Sequence, residues 1–326
     1  MSITKLFFLI CLSLISITTF AQAKPQSRDL TAFVNPFVGT IGSGKTFQGP
    51  VLPYGMIQPG PYMRYAEDQK SGTLVGFSHT HLSGMAGGGC ETPGDILFMP
   101  AFEKGPFISG FSSGFLHGNE TASPGYYKVG LEDSKITVEL TATTRVGLHR
   151  YTFPESKASG VYLKLEKGSL TVKGDEISGC NNNRVYFVAR FSKPFKNFEI
   201  AANDLVVNSP DTVRSENVKA FFRFETRAGE AILLKVGISM VSIEGARNNL
   251  ETEMKGWDFD MVREKAKEKW NRELSKIQVE GGTQTEQILF YTALYHSMIH
   301  PNIYMDCDRK FHSTNGKIYT ITVLVI

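Results

Sequence analysis

His79 and His81 stand two residues apart in a stretch that runs on through Ser83, Gly84, the triplet Gly87-Gly88-Gly89, Cys90 and Asp95. On an extended backbone residues two apart share a face, so the spacing predicts both imidazoles on one side. The glycines behind them let a ligand approach bare backbone or let the chain take positive φ. Neutral imidazole can hold a metal or hydrogen-bond a hydroxyl. A zinc centre needs three or four ligands, and His117, Cys90 and Asp95 would have to complete it at a spacing that matches no zinc signature. His79, His81, Ser83, Gly84, Cys90 and Asp95 therefore read as the wall of a site that hydrogen-bonds a small polar molecule.

The 326 residues suffice for one large domain or two smaller ones. A formal charge of +3 without a long basic run argues against a nucleic-acid partner, which would need Lys and Arg gathered on one face. Lys5, the apolar run Leu6 to Ile17 and Ala21-Gln22-Ala23 have the layout of a secretory signal over residues 1–23. The run is too short to be a transmembrane segment, so the expected location is secreted or periplasmic. Cys90, Cys180 and Cys307 then remain, an odd and widely spaced set that describes no disulfide framework.

Short β-prone runs at 135–140, 160–165, 184–191 and 231–238, parted by Gly, Pro, Asn and Asp, predict a β-sandwich. From Glu244 the period becomes helical, with helices expected over 246–254 and 260–274 and a capped break at Gly256-Trp257-Asp258. Ile277-Gln278-Val279 reads as a short strand. A third helix is expected over 285–299, with Ile288, Leu289, Thr292, Tyr295, His296 and Ile299 as its apolar stripe. Asp306-Cys307-Asp308 reads as a solvated loop, since calcium wants six to eight oxygens and the Gly-spaced loop is absent. The β-prone finish Tyr319 to Ile326 reads as a chain cut short.

Val34-Asn35-Pro36-Phe37-Val38-Gly39-Thr40, Pro53-Tyr54-Gly55-Met56, Gly76 to Gly84 with Gly94-Asp95, and Ser123-Pro124-Gly125-Tyr126-Tyr127 together resemble glycoside hydrolase family 92. The resemblance continues through Leu140 to Tyr151, Val236-Gly237-Ile238-Ser239, Gly256-Trp257-Asp258-Phe259 and Phe290 to His296. It implies a mainly β protein: an N-terminal β-sandwich over 24–243, a helical linker over 244–279, and at 280–326 the first helix of a truncated (α/α)6 barrel. It also implies a calcium-dependent, inverting, exo-acting α-mannosidase whose partner is a mannose-containing glycan. The family's acid, base and calcium ligands would lie beyond Ile326, so Glu91, Asp95, Asp306 and Asp308 are not nominated as catalytic. No bound metal is expected of this stretch of chain, and little activity, because general acid and base steps contribute about 10²–10⁴ each. The competing reading is a free-standing carbohydrate-binding module, and the third helix, whose stripe expects barrel neighbours, speaks against it. That helix would then be the least stable part of the chain.

Overall fold

The computed structural model describes residues 28–40, 46–65, 71–81, 96–103, 105–207 and 212–322. The predicted signal at 1–23 lies outside them. The chain is mainly β, organised around a large curled sheet in which every strand pairing is antiparallel. Its main path runs Gly60–Tyr65, Ser71–Ser78, Leu97–Phe102, Ser156–Lys173, Glu176–Asn181, Val185–Phe191, Glu230–Ser239, Val146–Phe153, Thr137–Ala142, Tyr126–Gly130 and Glu120–Ser123.

The strand Ser156–Lys173 makes the sheet curl. One edge pairs with Thr212–Thr226, while the other pairs with Leu97–Phe102 through its first half and Glu176–Asn181 through its second. Side chains alternate along a strand. In Val146–Phe153 this sends Val146 and Leu148 to one face, packed with helix residues such as Ala246 and Leu250, and His149, Tyr151 and Phe153 to the other, with Arg150 and Thr152 half-buried. The predicted strand at 135 begins two residues later, at Thr137, because Lys135 has φ +57° and closes a turn instead. Ile277-Gln278-Val279 forms no strand; the Val279 N–H donates to the Tyr291 hydroxyl at 3.1 Å.

Three α-helices follow the sheet: α1 (Ile243–Glu253), α2 (Phe259–Leu274) and α3 (Gln284–Ser297). Each has a side-chain N-cap, Ser242, Asp258 and Thr283 respectively, and Glu286 completes a capping box on the third. In α2 the buried residues Phe259, Val262, Ala266, Trp270 and Leu274 recur at three- and four-residue spacing. Ala266 lies so close to Gly125 (φ +79°) that a Cβ there would fall 2.6 Å from the alanine methyl.

The stripe on α3 differs from the expected one. Tyr291, Thr292 and Tyr295 are buried, with Met298 and Ile299 just after the helix, whereas Leu289 is 54% exposed. The phase is set by the tyrosines, whose larger rings bury more surface. Nor does the helix lack neighbours: it packs on Leu30, Val34, Phe47, Val51, Trp270 and Leu274 in a second core, with the Trp270 and Tyr295 rings 4.4 Å apart.

Candidate functional site

The strand Ser71–Ser78 ends just before the two histidines and the backbone bends at His79, so the rule that put them on one face stops applying. The two rings occupy different surroundings. His79 is wholly buried: Nδ1 lies 2.7 Å from the Ile96 carbonyl oxygen and Nε2 3.0 Å from His149 Nε2, while His149 Nδ1 lies 2.7 Å from the Tyr151 hydroxyl. A carbonyl can only accept, and this fixes every proton in the row. His79 donates from Nδ1 to Ile96, His149 donates from Nε2 to His79, and Tyr151 donates to His149. Burial holds His79 down to about 4 and His149 well below the ordinary histidine range.

His81 sits at the edge of a cleft of about 530 Å³. Its Nδ1–H donates to the Gln58 carbonyl at 2.9 Å, its ring lies 4.6 Å from that of Phe47, and Nε2 is 3.3 Å from Ser78 Oγ. Burial depresses it to about 4, so the ring is neutral and Nε2 offers a lone pair. Across the cleft stand Asn181, Asn182 and Asn183 of a hairpin turn, and Asn302 and Tyr304 from the segment after α3. Asn182 and Asn183 take φ of +56° and +54°, the left-handed pair that a tight hairpin requires and asparagine tolerates. Glu166 is the only carboxylate among the described residues that line the cleft.

The segment after α3 is tied firmly to the turns at Tyr54 and Arg145. The Tyr54 N–H donates to Met298 O and the Ile303 N–H to Tyr54 O, both at 2.8 Å, and Asn302 Nδ2 donates to Gly55 O at 2.7 Å. Arg145 reaches Met305 O through Nε (2.8 Å) and pairs with Glu253 through Nη1 (2.6 Å). Asp306, expected in a solvated loop, is 1% exposed. It accepts from Ser239 Oγ at 2.6 Å and Asn249 Nδ2 at 2.8 Å, and burial raises its pKa. A Cβ on Gly245 would stand 2.3 Å from Asp306 Oδ2, so only glycine lets the carboxylate in.

Of the other residues the sequence nominates, Ser83, Gly84, Cys90 and Asp95 lie outside the described residues. His117 does not line the cleft and pairs with Glu120 through Nδ1 at 2.5 Å. Residues 33–239 match the glycosyl hydrolase family 92 N-terminal domain and residues 245–323 the glycosyl hydrolase family 92 catalytic domain. The chain belongs to glycoside hydrolase family 92.

Within family 92, an α-mannosidase of Bacteroides thetaiotaomicron is 32% identical, with a TM-score of 0.81 over 90% of this chain and 44% of its own. The complex of that enzyme with mannoimidazole superposes equally well, with a TM-score of 0.81. An uncharacterized secreted glycosidase of Arthroderma benhamiae is 25% identical over 85% of this chain and 42% of its own length. The chain thus spans less than half the length of these relatives. The cleft lies where the two matched segments meet, between Gln58 and His81 on one side and Asn302 and Tyr304 on the other. Sequence reasoning missed His149 and the asparagine turn. The turn had a local signal, Asn181-Asn182-Asn183 between two β-prone runs; His149 had none, because its partner is 70 residues away.

Proposed function

We propose that this chain is the β-rich part, with the start of the catalytic domain, of a secreted glycosidase that removes terminal α-linked mannose from glycans with inversion. In this reading the sheet is the N-terminal β-sandwich of residues 24–243, residues 244–279 are the helical linker, and residues 280–326 open an (α/α)6 barrel. The observation that carries it is the junction cleft, walled by amide side chains and a neutral imidazole. Such groups hydrogen-bond uncharged hydroxyls, and the two charged side chains of the lining, Glu166 and Arg184, are of opposite sign and can accept from and donate to hydroxyls as well. The match to a secreted relative supports the location, and no helix among the described residues is long and apolar enough to cross a membrane.

The proposal assigns calcium to the complete enzyme. The residues described here do not fit it: Asp306 spends both oxygens on Ser239 and Asn249, Asp308 is held by Lys310 at 2.7 Å, and no group of three or more candidate ligands occurs among them. Inverting hydrolysis uses an acid and a base carboxylate roughly 6.5–9.5 Å apart, and the described cleft offers Glu166 alone, paired with Lys164. What these residues supply is one wall of a sugar site, with His81 Nε2 as acceptor and the asparagine amides as donors and acceptors. The 326-residue chain is therefore expected to give no turnover of an aryl α-mannoside, with or without calcium. Turnover that a chelator abolishes would show that the reacting groups are already present here.

A further inference from the structure

A second cavity, of about 360 Å³, opens between the end of α1, one face of α2 and the strand turn at Ala142 and Thr143. Its floor is apolar, formed by Leu52, Met254, Val262 and Ala266. Lys255, Lys265 and Lys269 also line it. Lys265 and Lys269 are four apart on α2 and so share a face. Both carboxylates in the lining are already committed. Glu253 accepts from the Arg145 guanidinium at 2.6 Å, the Arg145 N–H at 2.8 Å and the Thr143 hydroxyl at 2.6 Å, while Asp258 caps α2 through the Met261 N–H at 2.9 Å. Lys269, which is partly buried, has one hydrogen bond among the described residues, to the neutral Thr144 hydroxyl at 3.3 Å. Lys255 and Lys265 form no ion pair among the described residues.

We propose that this cavity is a binding site for a small organic carboxylate, its apolar body on the Val262–Ala266 floor and its carboxylate on Lys269. Lys269 is partly withdrawn from water and, among the described residues, hydrogen-bonds only a hydroxyl; the Glu253 and Glu273 carboxylates act on it through their charge alone, with Glu253 already bonded to Arg145 and Thr143, so its remaining N–H groups can take a bound anion. Burial holds Lys269 below the ordinary lysine range, in keeping with that geometry. The apolar floor separates this ligand from a bare oxyanion: inorganic phosphate would satisfy the lysines and leave the floor wet. The site is independent of the sugar cleft, since the two cavities share no lining residue.

The test is calorimetric titration of the 326-residue chain with acetate, hexanoate and inorganic phosphate in turn. Hexanoate is expected to bind with a dissociation constant of about 1 mM or tighter and at least tenfold more strongly than acetate or phosphate, since each buried methylene adds about 0.8 kcal/mol. Lys269→Met should weaken hexanoate at least tenfold, the loss of a charge-assisted hydrogen bond, while Lys265→Gln changes it less. The thermal midpoint of Lys269→Met should not fall, because the substitution removes a poorly solvated charge. Equal binding of acetate and hexanoate, stronger binding of phosphate, or undiminished binding to a folded Lys269→Met protein would each overturn the assignment.

Discussion

Acid should destabilise this protein well above the carboxylate range, and the row Tyr151, His149, His79, Ile96 gives the reason. All three side chains are buried, and neither imidazole takes an extra proton without disrupting the row: on His79 it would set two N–H groups against each other across 3.0 Å, and on His149 Nδ1 it would displace the proton that the Tyr151 hydroxyl donates there at 2.7 Å. In the unfolded chain each histidine protonates near 6.5, whereas folded His79 resists to about 4. Below pH 6.5 the unfolded state therefore binds more protons than the folded one, and stability is lost as the pH falls. The 2.5-unit gap for His79 at about 1.4 kcal/mol per unit is worth roughly 3 kcal/mol by pH 4. His149 and His81 act with the same sign. Glu120 and Asp306, raised by burial, act with the opposite sign as carboxylates begin to protonate. Urea unfolding followed by fluorescence of Trp257 and Trp270 at pH 7.5, 6 and 5 reads the slope, and NMR of ring-labelled histidine assigns it. Equal stability at pH 7.5 and 5, or titration of His79 near 6.5, would refute the proton order.

Three further outcomes follow from the packing. Gly245→Ala forces a methyl to within 2.3 Å of Asp306 Oδ2 and 2.6 Å of Ser239 Oγ, and should cost about 1–3 kcal/mol in chemical denaturation. Arg145→Met strands the largely buried Glu253 carboxylate and frees Met305 O, for a loss of about 2–4 kcal/mol; a cycle with Glu253→Gln should recover part of it by removing the orphan charge. Deleting residues from Thr283 onward exposes Trp270, Leu30 and Val51 from the second core and should lower the thermal midpoint, and hydrogen exchange should show Tyr291 and Tyr295 of α3 protected.

Local rules located most of the elements. The strands at 160–165, 184–191 and 231–238 announce themselves by β-branched content between turn residues, and the helices by caps such as Asp258 and the Thr283/Glu286 box, all signals contained within a few residues. What failed depends on distant partners. Asp306 looks solvated in the string Asp306-Cys307-Asp308 because nothing nearby shows that Ser239 and Asn249 hydrogen-bond its carboxylate. Leu289 looks like core because aliphatic residues dominate a periodicity count, yet Tyr291 and Tyr295 meet Trp270 and Phe33 instead. The histidine pair was visible as chemistry but not as geometry: one ring turns into the sheet toward a partner 70 residues on, and the other faces the cleft.

The central claim is that the cleft beside His81 is one wall of a sugar site for α-mannosides. Its most direct test is NMR of the chain labelled in histidine rings and asparagine amides, titrated with mannoimidazole and with methyl α-mannoside. The account predicts that His81 and the Asn182–Asn183 turn shift together while His79 and His149 stay fixed. It also predicts an affinity for the simple mannoside weaker than about 1 mM, because in the proposed reading the described cleft supplies one wall of the site. Shifts confined to residues outside the cleft, or a His81 resonance that does not move at saturating ligand, would contradict it.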